Sequence, residues 1–283
     1  MFKRFVSSLL NPSQKTVAKS LLMYRQEKST DLESGAPDRD FQLDYKLPRK
    51  ILIGTHHKAG TVWLISVFKS ICNYYALKFY TDHQGVAPPA EFDIFLQQHS
   101  KFDFDVLPAS FRGVHIIRDP RDIIISACFY HQRSTEEWLH KPQKKWQGCS
   151  YQQKLNSYDS PDEKIIFEME NSSRRNIEKI LSWNYQNPGF YEVKYEDLIQ
   201  DTDLILFHNV FSFLGFSGSE IPKLLMFAYD NSLFSGKVAS DHVRSGTTKQ
   251  WRKHFKPIHR ERFLELFGDG LVRLGYEEDD DWL

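Results

Sequence analysis

The chain has 283 residues, 41% hydrophobic and 14% aromatic, which is enough apolar surface to fill a core and too much for a disordered or collagen-like chain. Lys and Arg total 37, as do Asp and Glu, so no net field recruits nucleic acid or anionic membrane and any polyanion must be held by a local cluster. Cys72, Cys128 and Cys149 are widely spaced and lack a Cys-x-x-Cys pair, which points away from a disulfide framework or zinc site and fits a reducing compartment.

Met1 to Arg25 carries Lys3, Arg4, Lys15 and Lys19, and Phe5 to Leu10 is too short for a signal-peptide core. It reads as a plain N-terminal helix, with an organelle address or a membrane-surface helix as alternatives. No apolar run approaches the roughly 20 residues of a membrane span, so no integral membrane segment is expected and the expected location is cytoplasmic. Lys28 to Arg39, polar with Gly35 and Pro37, reads as a loop. The expected organisation is a helical and loop segment over 1–49 followed by one domain over 50–283.

Lys50 to Gly54 predicts a buried strand, because Ile51, Leu52 and Ile53 run uninterrupted to a glycine. From Thr61 the spacing of Leu64, Val67, Phe68, Ile71 and Tyr75 predicts a helix with one apolar face. Phe92 to Gln98 is strand-like. Gly113 to Ile117 predicts another strand, Arg118 to Asp122 a tight connection and Ile123 onward a helix, with Asp119 as cap and Pro120 suited to the first turn. His131 to Glu170 shows no clean period and reads as a surface insertion or lid. Phe190 to Tyr195 is a further strand, followed by Glu196 and Asp197 where a helix start favours negative charge. Strands alternating with helices imply an α/β fold with a central, mainly parallel sheet flanked by helices.

Three segments carry anion-binding chemistry. The first, Gly54-Thr55-His56-His57-Lys58-Ala59-Gly60-Thr61-Val62-Trp63, is a glycine-containing turn feeding a helix, where backbone N–H groups, the helix dipole, Lys58 and the Thr61 hydroxyl suit a phosphate or sulfate. It is not a Walker loop, since Lys58 precedes Gly60 and no lysine follows it. In the second, Arg118 leaves a strand end and Ser126 lies two turns into the next helix; pairing of Arg118 with Asp119 or Asp122 in a structural turn is the competing reading. The third is Val243 to Phe255, where Ser245 and Gly246 beside Arg244 leave backbone N–H groups bare.

With these motifs in chain order from Lys50 to Phe255, the sequence resembles the PAPS-dependent sulfotransferase family, whose co-substrate is 3′-phosphoadenosine-5′-phosphosulfate. The resemblance implies the P-loop-containing nucleoside triphosphate hydrolase-like sulfotransferase fold. It places Lys58, Ala59, Gly60, Thr61, Val62 and Trp63 at the 5′-phosphosulfate, Arg118 and Ser126 at the 3′-phosphate, Tyr195 near the adenine, and Arg244, Ser245 and Gly246 over the 3′-phosphate. Ser245 stands where cytosolic members have lysine, the Lys-Thr-His of the catalytic histidine appears as Gln97-Gln98-His99, and the dimer motif is not recognisable in Lys253 to Arg262. These departures imply a branch distant from the animal phenol and steroid enzymes and carry no expectation of oligomeric state.

The implied activity moves a sulfuryl group from PAPS to a hydroxyl or amine of a small-molecule acceptor, releasing 3′-phosphoadenosine-5′-phosphate (PAP), with no metal and no nucleic-acid partner. Lys58 is the expected group at the leaving phosphate oxygen and His99 the expected base, with Asp82 or His83 as alternatives. A P-loop kinase and a non-catalytic nucleotide-binding module are the competing functions. Trp138, Trp146, Phe129, Tyr130 and Trp183 are candidates for an aromatic acceptor pocket, with core packing as the other reading.

Overall fold

Ile51, Leu52 and Ile53 are fully buried, so the strand they form, β1 (Lys50–Gly54), is covered on both faces. The computed structural model describes residues 47–236 and 247–283. The expectations for Met1 to Arg25, Lys28 to Arg39 and Arg244, Ser245 and Gly246 lie outside the described residues. After β1 come α1 (Thr61–Tyr75), β2 (Phe79–Asp82), β3 (Ile94–Gln97), β4 (Phe111–Ile117), α2 (Pro120–His131), α3 (Glu137–His140), α4 (Tyr151–Asn156), α5 (Pro161–Glu170) and α6 (Ser172–Ser182). They are followed by β5 (Phe190–Lys194), α7 (Tyr195–Gln200), α8 (Ile205–Leu214), α9 (Glu220–Asp230), α10 (Pro257–Phe267) and α11 (Gly270–Arg273). The architecture is α/β, a parallel sheet flanked by helices. The strand order is β2-β3-β1-β4-β5, with β1 parallel to β3 and β4 and β2 parallel to β3.

The described chain forms two compact units, one of residues 47–55, 60–116 and 187–236, the other of 56–59, 117–186 and 247–283. In the first unit the predicted face of α1 is the buried one. Leu64, Val67, Phe68, Ile71 and Tyr75 join Ile51 and Ile53 of β1 and Phe207 and Phe211 of α8 in one cluster. Each such side chain contributes roughly 1.5–3 kcal/mol by leaving water. Gly113 faces Leu52 in register, and a Cβ there would come within 2.4 Å of the Phe190 ring, so only glycine lets β5 seat its first residue.

The second unit has its own core. Ile124, Ile125 and Cys128 of α2 pack with Ile165, Phe167 and Met169 of α5 and Phe263 and Phe267 of α10. The segment 131–170 is therefore not a structureless insertion. It holds three helices whose apolar residues Leu139, Tyr151, Leu155, Ile165, Phe167 and Met169 are buried. These helices have 4, 6 and 10 residues, too short to display a helical period. Two of their starts carry local signals that the reading passed over: Ser150 and Gln153 form a capping box, and Ser160 caps a helix with Pro161 at its first position.

The other differences are local. The helix after β4 begins at Pro120, three residues before the predicted start, because Asp119 caps it by accepting from Arg121 N. Strand β4 starts two residues earlier than predicted, at Phe111. β2, unforeseen, is a four-residue, mostly half-buried strand at the sheet edge, with no alternation long enough to read. Among the described residues no helix is long and apolar enough to cross a membrane.

Candidate active site

In the first unit the turn after β1 is organised around Thr55. Its N–H donates to Gln97 O at 3.1 Å, its carbonyl accepts from Ser100 Oγ at 3.0 Å, and Thr61 Oγ1 donates to its hydroxyl at 3.0 Å. His99 lies between the two residues that hold Thr55. Gln97, fully buried, accepts with Oε1 from His99 N at 2.6 Å and from Lys101 N at 3.0 Å, so the histidine turn is fixed to the end of β3. Gly60 has φ 86°, and an added Cβ would stand 3.0 Å from the Tyr195 ring, so both backbone and space require glycine. α1 then starts with no side-chain cap and no acidic residue in its first turn. Trp63 packs on Phe207 with ring centres 5.5 Å apart, and its indole N–H is buried without a hydrogen bond among the described residues. Val62 is half exposed.

The alternative bases fare differently from His99. Asp82 is buried, and Oδ2 accepts from Gly85 N (2.6 Å), Gln97 Nε2 (2.9 Å) and Val86 N (3.1 Å). Burial alone would raise its pKa, but bonds from Gly85, Gln84, Gln97 and Val86 outweigh it and hold the carboxyl below its ordinary value. Such a carboxylate anchors a loop and is a poor proton acceptor. His83 is exposed, and its Nε2 lies 3.4 Å from Gln84 Nε2.

The second unit holds residues 56–59 of the same turn. Lys58 adopts φ 64°, a left-handed conformation that costs a non-glycine residue roughly 1–2 kcal/mol. Two side chains hold it there. Asn176 of α6 brackets the preceding residue, accepting from His57 N at 3.3 Å and donating Nδ2 to His57 O at 3.1 Å. Arg118 Nη1 donates to Lys58 O at 2.8 Å. The Lys58 ammonium lies 3.8 Å from the centre of the Tyr130 ring, and His57 stacks on His131 at 5.2 Å. His131 is in turn fixed by Glu168 (2.8 Å), which also accepts from Tyr151 Oη (2.8 Å) and Ser173 Oγ (2.7 Å), all four residues being buried. Burial, reinforced by Glu168, pushes the Tyr151 hydroxyl far above its ordinary pKa, so it serves this network as a neutral donor.

Arg118 makes part of the structural-turn pairing that the sequence offered as the competing reading. It is buried, lies 3.7 Å from Asp122 and binds the Lys58 carbonyl. Asp122 is mainly engaged elsewhere, accepting from Lys249 N (2.8 Å) and Trp251 N (3.0 Å), which ties the C-terminal basic segment to the start of α2. Burial raises the Asp122 pKa, against the lowering effects of Arg118 and the two amides. Arg121, fully buried, pairs with Asp119 and Glu277 and lies 3.7 Å from the Trp251 ring centre, a structural role. The half-buried Ser126 hydroxyl makes no hydrogen bond among the described residues.

Within the first unit the structure thus brings together Gly60, Thr61, Tyr195 and His99 around one turn, and within the second Lys58 and Arg118. Sequence reasoning missed Asn176 and the Asp122 anchor, and it named Tyr130 as a candidate for the acceptor pocket, not as the ring beneath Lys58. Lys58, Arg118 and the Ser126 hydroxyl in the second unit, and the Thr61 hydroxyl and the open start of α1 in the first, are each groups that can donate to an anion.

A model of the sulfotransferase domain matches residues 97–275, which leaves the Lys58 turn outside the matched span. No curated protein sequence matches the chain. Among solved structures, a mouse sulfotransferase complexed with PAP aligns with TM-score 0.53 and 16% identity over 81% of this chain and 85% of its own. A retinol dehydratase in complex with androsterone and inactive cofactor PAP aligns with TM-score 0.49 and 16% identity over 81% and 83%. The mouse enzyme supports the fold, and the match over residues 97–275 establishes the family: the chain belongs to the sulfotransferase domain family.

Proposed function

We propose that this chain is a PAPS-dependent sulfotransferase whose domain spans 50–283, transferring a sulfuryl group to a hydroxyl or amine of a small acceptor and releasing PAP. The observation that carries this is the direct bond from Arg118 to the carbonyl of Lys58. The residues assigned to the 3′-phosphate and to the sulfated 5′ end are mechanically joined, as a nucleotide carrying anions at both ends demands. The mouse enzyme of the same fold is described as complexed with PAP.

In this reading the acceptor atom attacks sulfur in line while the bond from sulfur to the 5′-phosphate oxygen breaks, and the electron pair departs with PAP. Lys58, the Thr61 hydroxyl and the N–H groups opening α1 stabilise charge on that leaving oxygen. Ala59, Gly60, Val62 and Trp63 shape the same turn. Arg118 and Ser126 hold the 3′-phosphate, with Arg244, Ser245 and Gly246 as the further contacts, and Tyr195 borders the adenine. His99 takes the acceptor's proton.

The test is thermal stabilisation by nucleotides. PAP should raise the melting temperature while ATP with Mg²⁺ does so much less, because only PAP engages the 3′-phosphate groups. Equal stabilisation by ATP would sink the assignment and favour a nucleotide-triphosphate enzyme.

A further inference from the structure

Trp138 and Trp146 lie with the buried Tyr151 along an open groove of about 390 Å³ in the second unit. The charges around this groove are not balanced. Glu170 is held by Arg262, through contacts of 2.7 and 2.6 Å, and Glu178 by Arg174 at 2.8 Å. Among the described residues Lys145 meets Asn171 Oδ1 at 3.2 Å and the Trp146 ring at 4.0 Å, and no carboxylate. Arg175 makes no hydrogen bond or ion pair among the described residues. Desolvation and the neighbouring Arg175 both lower the Lys145 pKa, the behaviour of two cations set close together without an anion.

The groove is also tied to the chemistry. Trp138 donates Nε1 to Glu136 Oε2 at 2.6 Å, and the other oxygen of Glu136 accepts from Tyr130 Oη at 2.8 Å. Tyr130 is the ring beneath the Lys58 ammonium. One carboxylate therefore fixes both a wall of the groove and the platform of the lysine assigned to the sulfuryl end.

We propose that the groove docks the acceptor and selects ring-bearing acceptors with a fixed negative charge. The sugar or aromatic ring lies against Trp146 and Tyr151, and its carboxylate, phosphate or sulfate ester is held between Lys145 and Arg175. This deepens the sulfotransferase reading and rests on it. Asn171 and Gln143, polar and on the same lining, supply hydrogen bonds to ring hydroxyls.

The test is ligand-observed NMR on the full chain saturated with PAP, using two matched pairs of probes: methyl β-glucuronide against methyl β-glucoside, and 4-hydroxybenzoate against 4-hydroxybenzamide. The charged member of at least one pair should bind about tenfold or more tightly than its neutral partner, the worth of one charged hydrogen bond. The double variant Lys145→Ala, Arg175→Ala should abolish that preference, whereas Lys145→Arg with Arg175→Lys should keep it. Both substitutions are at exposed positions, and an unchanged PAP dissociation constant for each variant reports an intact fold. Equal binding of charged and neutral probes, or a preference that survives the double alanine variant, overturns the proposal. Failure of PAP to bind the unaltered chain overturns the sulfotransferase reading instead, and the acceptor role with it; the PAP titration therefore separates the two failures.

Discussion

The turns that follow β1 and β4 leave neighbouring parallel strands and both carry cations assigned to one nucleotide, yet they are built in opposite ways. α1 opens on Gly60 with no side-chain cap and no acid in its first turn. α2 opens on Asp119, which caps it, with Asp122 in the first turn and itself bonded to the amides of Lys249 and Trp251. A helix start without its own acceptor keeps N–H groups and dipole available to an anion from outside, whereas one that carries its own carboxylates is already satisfied. On the proposed function the first turn therefore leaves its helix start open to developing charge. The second can grip phosphate only through side chains that reach past its acids, Arg118 and Ser126.

The largest effects should fall on the first turn. Lys58→Ala should lower turnover by about 10²–10³ and weaken PAP binding with it, since the proposed function has the lysine touch the leaving phosphate in both ground and transition states. His99→Ala should lower turnover by about 10² while PAP affinity stays within about twofold, because a base serves only the acceptor's proton. Steady-state rates on an alcohol acceptor, with PAP titrations on the same variants, check both. If His99→Ala keeps most of its turnover, the base lies elsewhere and His83→Ala is the next measurement, Asp82 being saturated with donors.

The two turns also mark where the sequence was readable. β1, α1, β4, α2 and β5 could be placed because each is an apolar run or a periodic face bounded by a glycine, a proline or a cap within a few residues. Lys58, Gly60 and Arg118 stood out as candidates for the same reason, being polar or glycine positions set at strand ends. What escaped depends on distant partners: Asn176 reaches His57 across 119 positions, and Asp122 reaches Lys249 across 127. The groove likewise assembles Trp138, Lys145 and Arg175 from three short segments, of which only the tryptophans drew notice. No local pattern records which amide brackets a loop or which cations come to share a wall.

Exchanging the character of the two helix starts should sharpen the contrast at intermediate magnitude. Val62→Asp gives α1 an acid in its first turn at a half-exposed position, which should stabilise the helix by about 0.3–1 kcal/mol. PAP binding should nevertheless weaken about tenfold or more, because the new carboxylate occupies the field the nucleotide needs. Asp119→Ala should do the reverse: it removes a cap and deprives the buried Arg121 of one of its two carboxylates, costing at least about 2 kcal/mol of stability. PAP affinity should change less than about threefold. Urea unfolding and PAP titration on both variants give four numbers, and unchanged PAP affinity in Val62→Asp would show that the open start of α1 is not the anion site.

The smallest expected effect is a pH dependence of stability that belongs to the sheet and not to either turn. His115, fully buried in β4, meets Glu192 Oε2 with its Nδ1 at 2.6 Å. Burial lowers its pKa and Glu192 opposes that, with the net value held below the ordinary one. The unfolded chain therefore takes up the proton first, near its ordinary pKa of about 6.5. Below that pH the unfolded state binds more protons than the folded one, so stability rises with pH through the window beneath about 6.5 and levels off above it. His259, whose Nδ1 accepts from Lys256 N and whose pKa burial also lowers, acts in the same direction. Unfolding midpoints should thus be lower at about pH 5.5 than at about pH 7.5. Glu192→Gln should steepen the difference, since it removes a carboxylate that favours the charged imidazole, and His115→Gln should reduce it. A slope indifferent to both substitutions would mean that His115 is not the titrating group, and would shift attention to His259.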